Sequence, residues 1–210
     1  MSALPVNNIY NMKENSNHHR DRSLIELFQQ RWLDVDGEYI PVTTEAELSV
    51  KLKKFIRDNS ISTAVLGASL SPSIADILID EVEILADFRS NTHPLRQVLT
   101  PDATSKEKAK DTCSRAELGI TGIDAFIAET GSMVSISRHT GDRMISSLPP
   151  IHLVIALDTP FYRDLDSFFE KAPSDLSFSL ITGPSRTADI EKRLVLGAHG
   201  PKRVVILSCY

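Results

Sequence analysis

Apolar residues in this chain follow two spacings. Where they recur every three or four positions they mark one face of a helix, and where they run together between turn formers they mark a buried strand. Leu24, Leu27 and Phe28 form the first stripe, over Ser23–Trp32, with Trp32 read as an anchor for this helix. Gly37–Val42 is a short extended piece. Thr44-Glu-Ala-Glu47 then has the spacing of a capping box for a helix carrying Leu48, Leu52, Phe55 and Ile56 inward, ended at Asn59-Ser60. Ile61–Leu66 reads as a strand, Ser71-Pro72 as the start of a helix through Ile77 and Leu78, and Val82–Leu85 as a further strand. Strand alternating with helix predicts an α/β domain with a largely parallel sheet.

Beyond a long loop from Asp87 to Thr104, the pattern predicts a polar helix over Ser105–Leu118, with Ala109, Cys113 and Ala116 inward and Gly119 as its stop. Ile120–Glu129 is the longest β-like run, turned by Thr130-Gly131 into Ser132–Ser137. Two strands joined so tightly pair antiparallel, so the expected sheet is mixed. Arg138–Arg143 reads as a polar loop, Met144–Leu148 as a short helix, Ile151–Ala156 as a strand and Tyr162–Lys171 as a helix. Phe178–Ile181 and Lys202–Ser208 complete the strands. Between them, Ile190, Leu194 and Val195 suggest a helix ended at Gly197-Ala-His-Gly-Pro201.

Composition narrows the function classes. A 210-residue chain, 41% hydrophobic and 24% charged, has the make-up of a globular domain with ample length for one core. The expected layout is a loosely packed tail over 1–22 and a single α/β domain over 23–210. A net charge of −5 without any Lys/Arg-rich run argues against nucleic-acid binding. No apolar run is long enough to span a membrane, and the polar start lacks a signal peptide's apolar core, so the expected location is cytoplasmic. Cys113 and Cys209 lie far apart and read as free thiols, too few for an iron–sulfur cluster on this chain alone. His93, His139, His152 and His199 make no ligand pattern, so neither a metal nor a cofactor of its own is expected.

The strongest ligand-binding stretch is Thr182-Gly-Pro-Ser-Arg-Thr-Ala-Asp-Ile-Glu191. Read as a strand-to-helix loop, it directs unpaired backbone N–H groups and the positive end of a helix dipole outward, which favours an anion. Gly183 shapes the loop, Ser185 and Thr187 donate or cap, Arg186 offers a planar fork to a carboxylate or phosphate, and His199 stands on the following loop. The same residues also fit a plain helix cap with the arginine in solvent. Asp124 and Glu129 are carboxylates in a mostly apolar stretch and are the catalytic candidates, either as base or nucleophile. Strand alternation points them to opposite faces, so they do not form an evident acid/base pair, and both also read as carboxylates holding turns.

Ile120-Thr-Gly-Ile-Asp-Ala-Phe-Ile-Ala-Glu-Thr-Gly-Ser132, Ser147-Leu-Pro-Pro-Ile-His-Leu-Val154, the 182–191 stretch and Leu196-Gly-Ala-His-Gly-Pro201 together resemble the LUD-domain family, and within it the lactate utilisation protein C group. The resemblance implies a Rossmann-like sheet with helices on both faces, like 5-formyltetrahydrofolate cyclo-ligase, the CoA transferases and the sugar-phosphate isomerases. It also implies a part in oxidising L-lactate to pyruvate beside an iron–sulfur protein and a further subunit, with the redox chemistry on the partner. Glu129-Thr-Gly and Gly122-Ile-Asp124 are similar in outline to carboxylate settings in that fold group, although Thr130 stands where covalent CoA transferases carry asparagine. Two readings follow. One is a non-redox subunit or accessory protein binding a small carboxylate or a partner protein. The other is a free-standing transferase or isomerase acting on a phosphorylated or acyl-CoA substrate, with Arg186 as anion clamp.

Overall fold

The computed structural model describes residues 21–78, 80–88, 103–136, 140–172, 177–188, 194–196 and 200–209. Residues 1–20 of the expected tail over 1–22 lie outside them. Helix α1 (Arg22–Asp34) starts behind Asp21, whose carboxylate accepts the Ser23 N–H. Phe28 and Trp32, one turn apart, are fully buried, and the Trp32 indole N–H donates to the Glu38 carbonyl at 2.9 Å. That bond ties the helix to the first residue of β1 (Glu38–Val42). Helix α2 (Glu45–Asp58) starts at the predicted cap: Thr44 accepts the Glu47 N–H, and the Glu47 carboxylate reaches the Thr43 N–H and hydroxyl. Then come β2 (Thr63–Leu66), α3 (Pro72–Leu78), β3 (Glu83–Asp87), α4 (Ala103–Arg115) and β4 (Leu118–Thr121). After these the chain forms β5 (Ala125–Ile127), β6 (Ser132–Ile136), α5 (Thr140–Ser147), β7 (Ile151–Leu157) and β8 (Phe161–Tyr162). Helix α6 (Leu165–Phe169), β9 (Phe178–Ile181), β10 (Arg186–Ala188), β11 (Leu194–Leu196) and β12 (Arg203–Cys209) complete the order.

The main sheet runs β1-β12-β7-β4-β2-β3, and every described pairing in it is parallel. Its faces follow from strand alternation. Leu66, Leu118, Ile120, Leu153, Ile155, Val205 and Leu207 pack under α2 and α3. On the other face Val65 and Ala86 meet α4 and α5, while Val154, Ala156, Val204 and Ile206 meet α1 and a second sheet. The α/β expectation with helices on both faces therefore holds. Antiparallel pairing lies outside the main sheet, in the β10–β11 pair and in that second sheet, β8-β5-β6-β9, where β5–β6 and β6–β9 are antiparallel and β5–β8 is parallel.

Four local expectations are corrected. Gly119 does not stop a helix but sits within β4, because a side chain there would meet the Ile145 carbonyl at 2.2 Å and glycine lets α5 press onto the strand. The run 120–129 is not one strand. It breaks at Gly122-Ile-Asp124, where a side chain on Gly122 would lie 2.6 Å from the Ser69 carbonyl, and passes from the main sheet to the second. Most of the 162–171 helix is replaced by β8 and a short helix, α6, capped reciprocally by Asp164 and Ser167. Leu194–Leu196, expected at the end of a helix, form strand β11 instead, which pairs antiparallel with β10, Arg186 opposite Leu196 and Thr187 opposite Val195.

Candidate functional site

Arg186 and Thr187 stand on strand β10 and not at the first turn of a helix, where the anion site in the 182–191 stretch was argued. What replaces it is a convergence of two sequence blocks. In the β6–β9 register Met133 faces Ile181, so the next residues, Ser132 and Thr182, meet and their hydroxyls lie 2.7 Å apart. Thr130 Oγ1 donates to Ser132 Oγ at 2.8 Å, which extends the hydroxyl chain into the Glu129-Thr-Gly turn. Gly131 (φ +61°) and Gly183 (φ +81°) hold left-handed conformations against the end of α1. A side chain on Gly131 would lie 2.7 Å from the Arg31 backbone, and one on Gly183 2.6 Å from the Val35 carbonyl.

Arg186 completes the cluster. Its Nη2 donates to Asp36 Oδ2 at 2.6 Å, with the arginine side chain 31% and the aspartate 65% exposed. Asp36 is left-handed (φ 57°) in the turn between α1 and β1. Ser185 is half-buried, and its backbone N–H donates to the Pro201 carbonyl at 2.9 Å. Thr187 lies on β10, and His199 lies outside the described residues. Glu129 is exposed, its backbone N–H donating to the Arg163 carbonyl.

This cluster sits beside the start of β1 and the Pro201 turn ahead of β12, and so at the amino ends of the parallel strands. Asp124 is at the other end of β5. Its N–H donates to the Val134 carbonyl, and its Oδ2 accepts the Ile136 N–H at 2.8 Å. The strand between them holds Asp124 and Glu129 on the order of 10 Å apart. They share no reacting centre. Asp124 instead borders the carboxyl ends of the parallel strands. There the chain order reverses between β2 and β4, the position where open α/β sheets bind ligands. At that reversal Ser69 Oγ accepts the Gly122 N–H at 2.9 Å and Gly67 N–H donates to the Ile120 carbonyl, so the two loops are tied together.

Sequence reasoning missed Asp36 and named His152 only as one of four histidines without a ligand pattern. Asp36 is the partner of Arg186, and the only local signal for it was the Asp-Gly turn at 36–37. His152 is fully buried in β7, with Nε2 2.8 Å from Thr121 Oγ1 and no hydrogen-bond partner for Nδ1 among the described residues. Burial pushes it down to about 4, so it is neutral. Cys113, buried between α4 and the sheet, has its thiol pushed up to about 12 by desolvation and is unreactive as a thiolate. Among the described residues no group of three or more His, Cys, Asp and Glu side chains is arranged to hold a metal ion, and no helix is long and apolar enough to cross a membrane.

The model of the LUD domain matches residues 25–207, which include both convergent blocks, the reversal and all of the main sheet except the last two residues of β12. The chain belongs to the LUD-domain family. It is 33% identical over 124 residues to lactate utilization protein C of Halalkalibacterium halodurans, covering 54% of this chain and 51% of that one. It is 36% identical over 116 residues to the protein of the same name from a Geobacillus species, covering 50% and 47%. An uncharacterized protein of Neisseria meningitidis serogroup B is 33% identical over 97 residues, covering 44% and 42%. The chain thus spans about half the length of the curated relatives it matches. A crystal structure of a DUF162 family protein from Deinococcus radiodurans shares the fold, with a TM-score of 0.60 over 90% of this chain and 98% of that one at 17% identity.

Proposed function

We propose that this LUD-domain chain serves lactate utilisation as a non-redox component of an L-lactate oxidation system. In this reading the redox chemistry sits on a partner iron–sulfur protein, beside a further subunit, and this chain binds a small carboxylate or a partner protein through the Arg186 cluster. The observation that carries the reading is its 33–36% identity to proteins named lactate utilization protein C. The buried Cys113 thiol fits a chain that leaves redox work to its partners. The joining of the Glu129 turn to the Arg186 loop through Ser132 and Thr182 supports a binding role at the amino edge. The site is proposed from Gly183, Ser185, Arg186 and Thr187, with His199 on the loop that follows.

The deciding experiment is genetic. Deleting the gene in its host should abolish growth on L-lactate as sole carbon source while growth on pyruvate persists. Unchanged growth on lactate would overturn the reading. Affinity purification of the tagged chain from lactate-grown cells should co-purify an iron–sulfur protein.

A second reading, a free-standing transferase or isomerase, is favoured by one observation, the place of Asp124 beside the strand-order reversal. It predicts turnover of a phosphorylated or acyl-CoA substrate by the purified chain, lost in Asp124→Asn. Turnover that survived both that change and Glu129→Gln would remove these carboxylates from the reaction.

A further inference from the structure

The two larger sheets end in four described edges, and three of them are guarded against further pairing. β1 carries Pro41 and Glu38, β3 starts at Glu83 and ends at Asp87, and β8 has only two residues. Prolines, charges and short strands are the usual means of keeping an edge from accepting another strand. The fourth edge, β9, is Phe178-Ser-Leu-Ile181 and carries neither proline nor charge. Among the described residues its outward side chains are only partly covered, Phe178 packing against the Phe168 cluster. Phe178 and Leu180 share the face turned away from the main sheet, Leu180 is 42% exposed, and Phe169 on α6, whose ring is 5.6 Å from Phe178, is 49% exposed. An unguarded strand edge flanked by exposed large apolar side chains is a strand-addition surface.

We propose that β9 pairs antiparallel with β9 of a second copy of this chain, joining two four-stranded sheets into one continuous sheet across a two-fold axis at Ser179. Self-pairing demands a surface complementary to itself, and the sequence of β9 supplies one. With Ser179 opposite Ser179 of the copy, Phe178 falls opposite Leu180 of the copy and Leu180 opposite its Phe178, all on the outward face. Aromatic–aliphatic pairs of this kind stabilise neighbouring strands. The strand carries no charge, so two copies meet without like-charge repulsion. This inference rests on the β9 edge alone and is independent of the metabolic reading above.

The test is the mass in solution of the full chain, read by sedimentation equilibrium across a concentration series. Wild type should approach twice 23.3 kDa as concentration rises. Leu180→Lys should weaken dimerisation at least about tenfold while keeping the wild-type melting temperature of the monomer. Leu180→Ser repeats the measurement if the lysine variant misfolds. Leu33→Lys, at a residue 58% exposed on α1, is the control and should dimerise as wild type does. A wild-type monomer at every concentration overturns the proposal. So does a dimer untouched by both Leu180 variants, or one weakened equally by Leu33→Lys.

Discussion

The six-stranded sheet and the four-stranded sheet are built from the same run of chain, yet they do different work. In the main sheet both faces are sealed by helices or by the second sheet, and β7 and β12 are accordingly almost unbroken apolar runs. The second sheet is buried on both faces along β5, β6 and β8 and opens only along β9. Its inner face, with Phe126 and Met133, rests on Val154, Ala156, Val204 and Ile206, whereas its outer face, with Ala125, Ile127, Val134 and Ile136, is closed by a smaller cluster around Phe168 of the short helix α6. The contrast teaches a division of labour: the parallel sheet carries stability, and the antiparallel one presents turns and an edge to the outside.

The largest effect should come from breaking the joint between them. The Phe126 ring lies 4.6 Å from both Phe28 and Phe161, at the junction of α1, β5 and β8. Truncation of a buried aromatic of this kind costs about 3–5 kcal/mol. Phe126→Ala should therefore lower the urea midpoint strongly while unfolding remains one transition. Two separated transitions in the variant would mean that the sheets are independent units, and the division of labour would become a division into domains.

Acid probes the main sheet through His152. His152 lies inside it and titrates at about 4 when folded, against about 6.5 when unfolded. Between those values the unfolded chain binds a proton that the folded chain refuses. The stability from keeping this ring neutral is therefore complete above about pH 6.5 and is lost as pH falls toward 4, by about 3 kcal/mol in all. Stability measured from pH 7 to 4 should fall more steeply for wild type than for His152→Asn. Equal slopes would mean that the ring is not sealed in.

Gly119→Ala tests how tightly a helix is pressed onto that sheet. The added methyl group would meet the Ile145 carbonyl at 2.2 Å, so α5 must shift, with a loss of about 1–3 kcal/mol. Melting temperatures of the two proteins would show it, and an unchanged value would contradict the close packing of α5 on β4.

Gly119 also marks where legibility in the sequence ends. Elements whose cause is local were readable: the Thr44–Glu47 cap, the Ser71-Pro72 start and the buried runs of β7 and β12 all stand where the pattern put them. Elements whose cause is a distant contact were not. A glycine that admits Ile145 looks locally like a glycine that ends a helix, and the break at Gly122 depends on Ser69. The stretch 194–196 failed for another reason, since a short apolar run such as Leu194-Val-Leu196 fits either period and only its pairing with β10 decides it. For the site, sequence found both blocks but not their meeting, because Asp36 and Arg186 are 150 residues apart.

The smallest effect on stability, and the sharpest on function, concerns that last pair. With the aspartate 65% exposed, the Arg186–Asp36 bridge contributes less than about 1 kcal/mol, so Arg186→Ala should melt close to wild type. Its consequence for ligands is separable from its consequence for the fold. If Arg186 receives a small carboxylate, Asp36 competes with that ligand for the same guanidinium, and the two residues must act with opposite sign. Titration of L-lactate and pyruvate, followed by melting temperature, should show a shift in wild type that disappears in Arg186→Ala and grows in Asp36→Asn. Loss in both variants would make the bridge itself the structural requirement and leave the amino edge a scaffold. The search for a carboxylate site would then move to the carboxyl ends of β2 and β4.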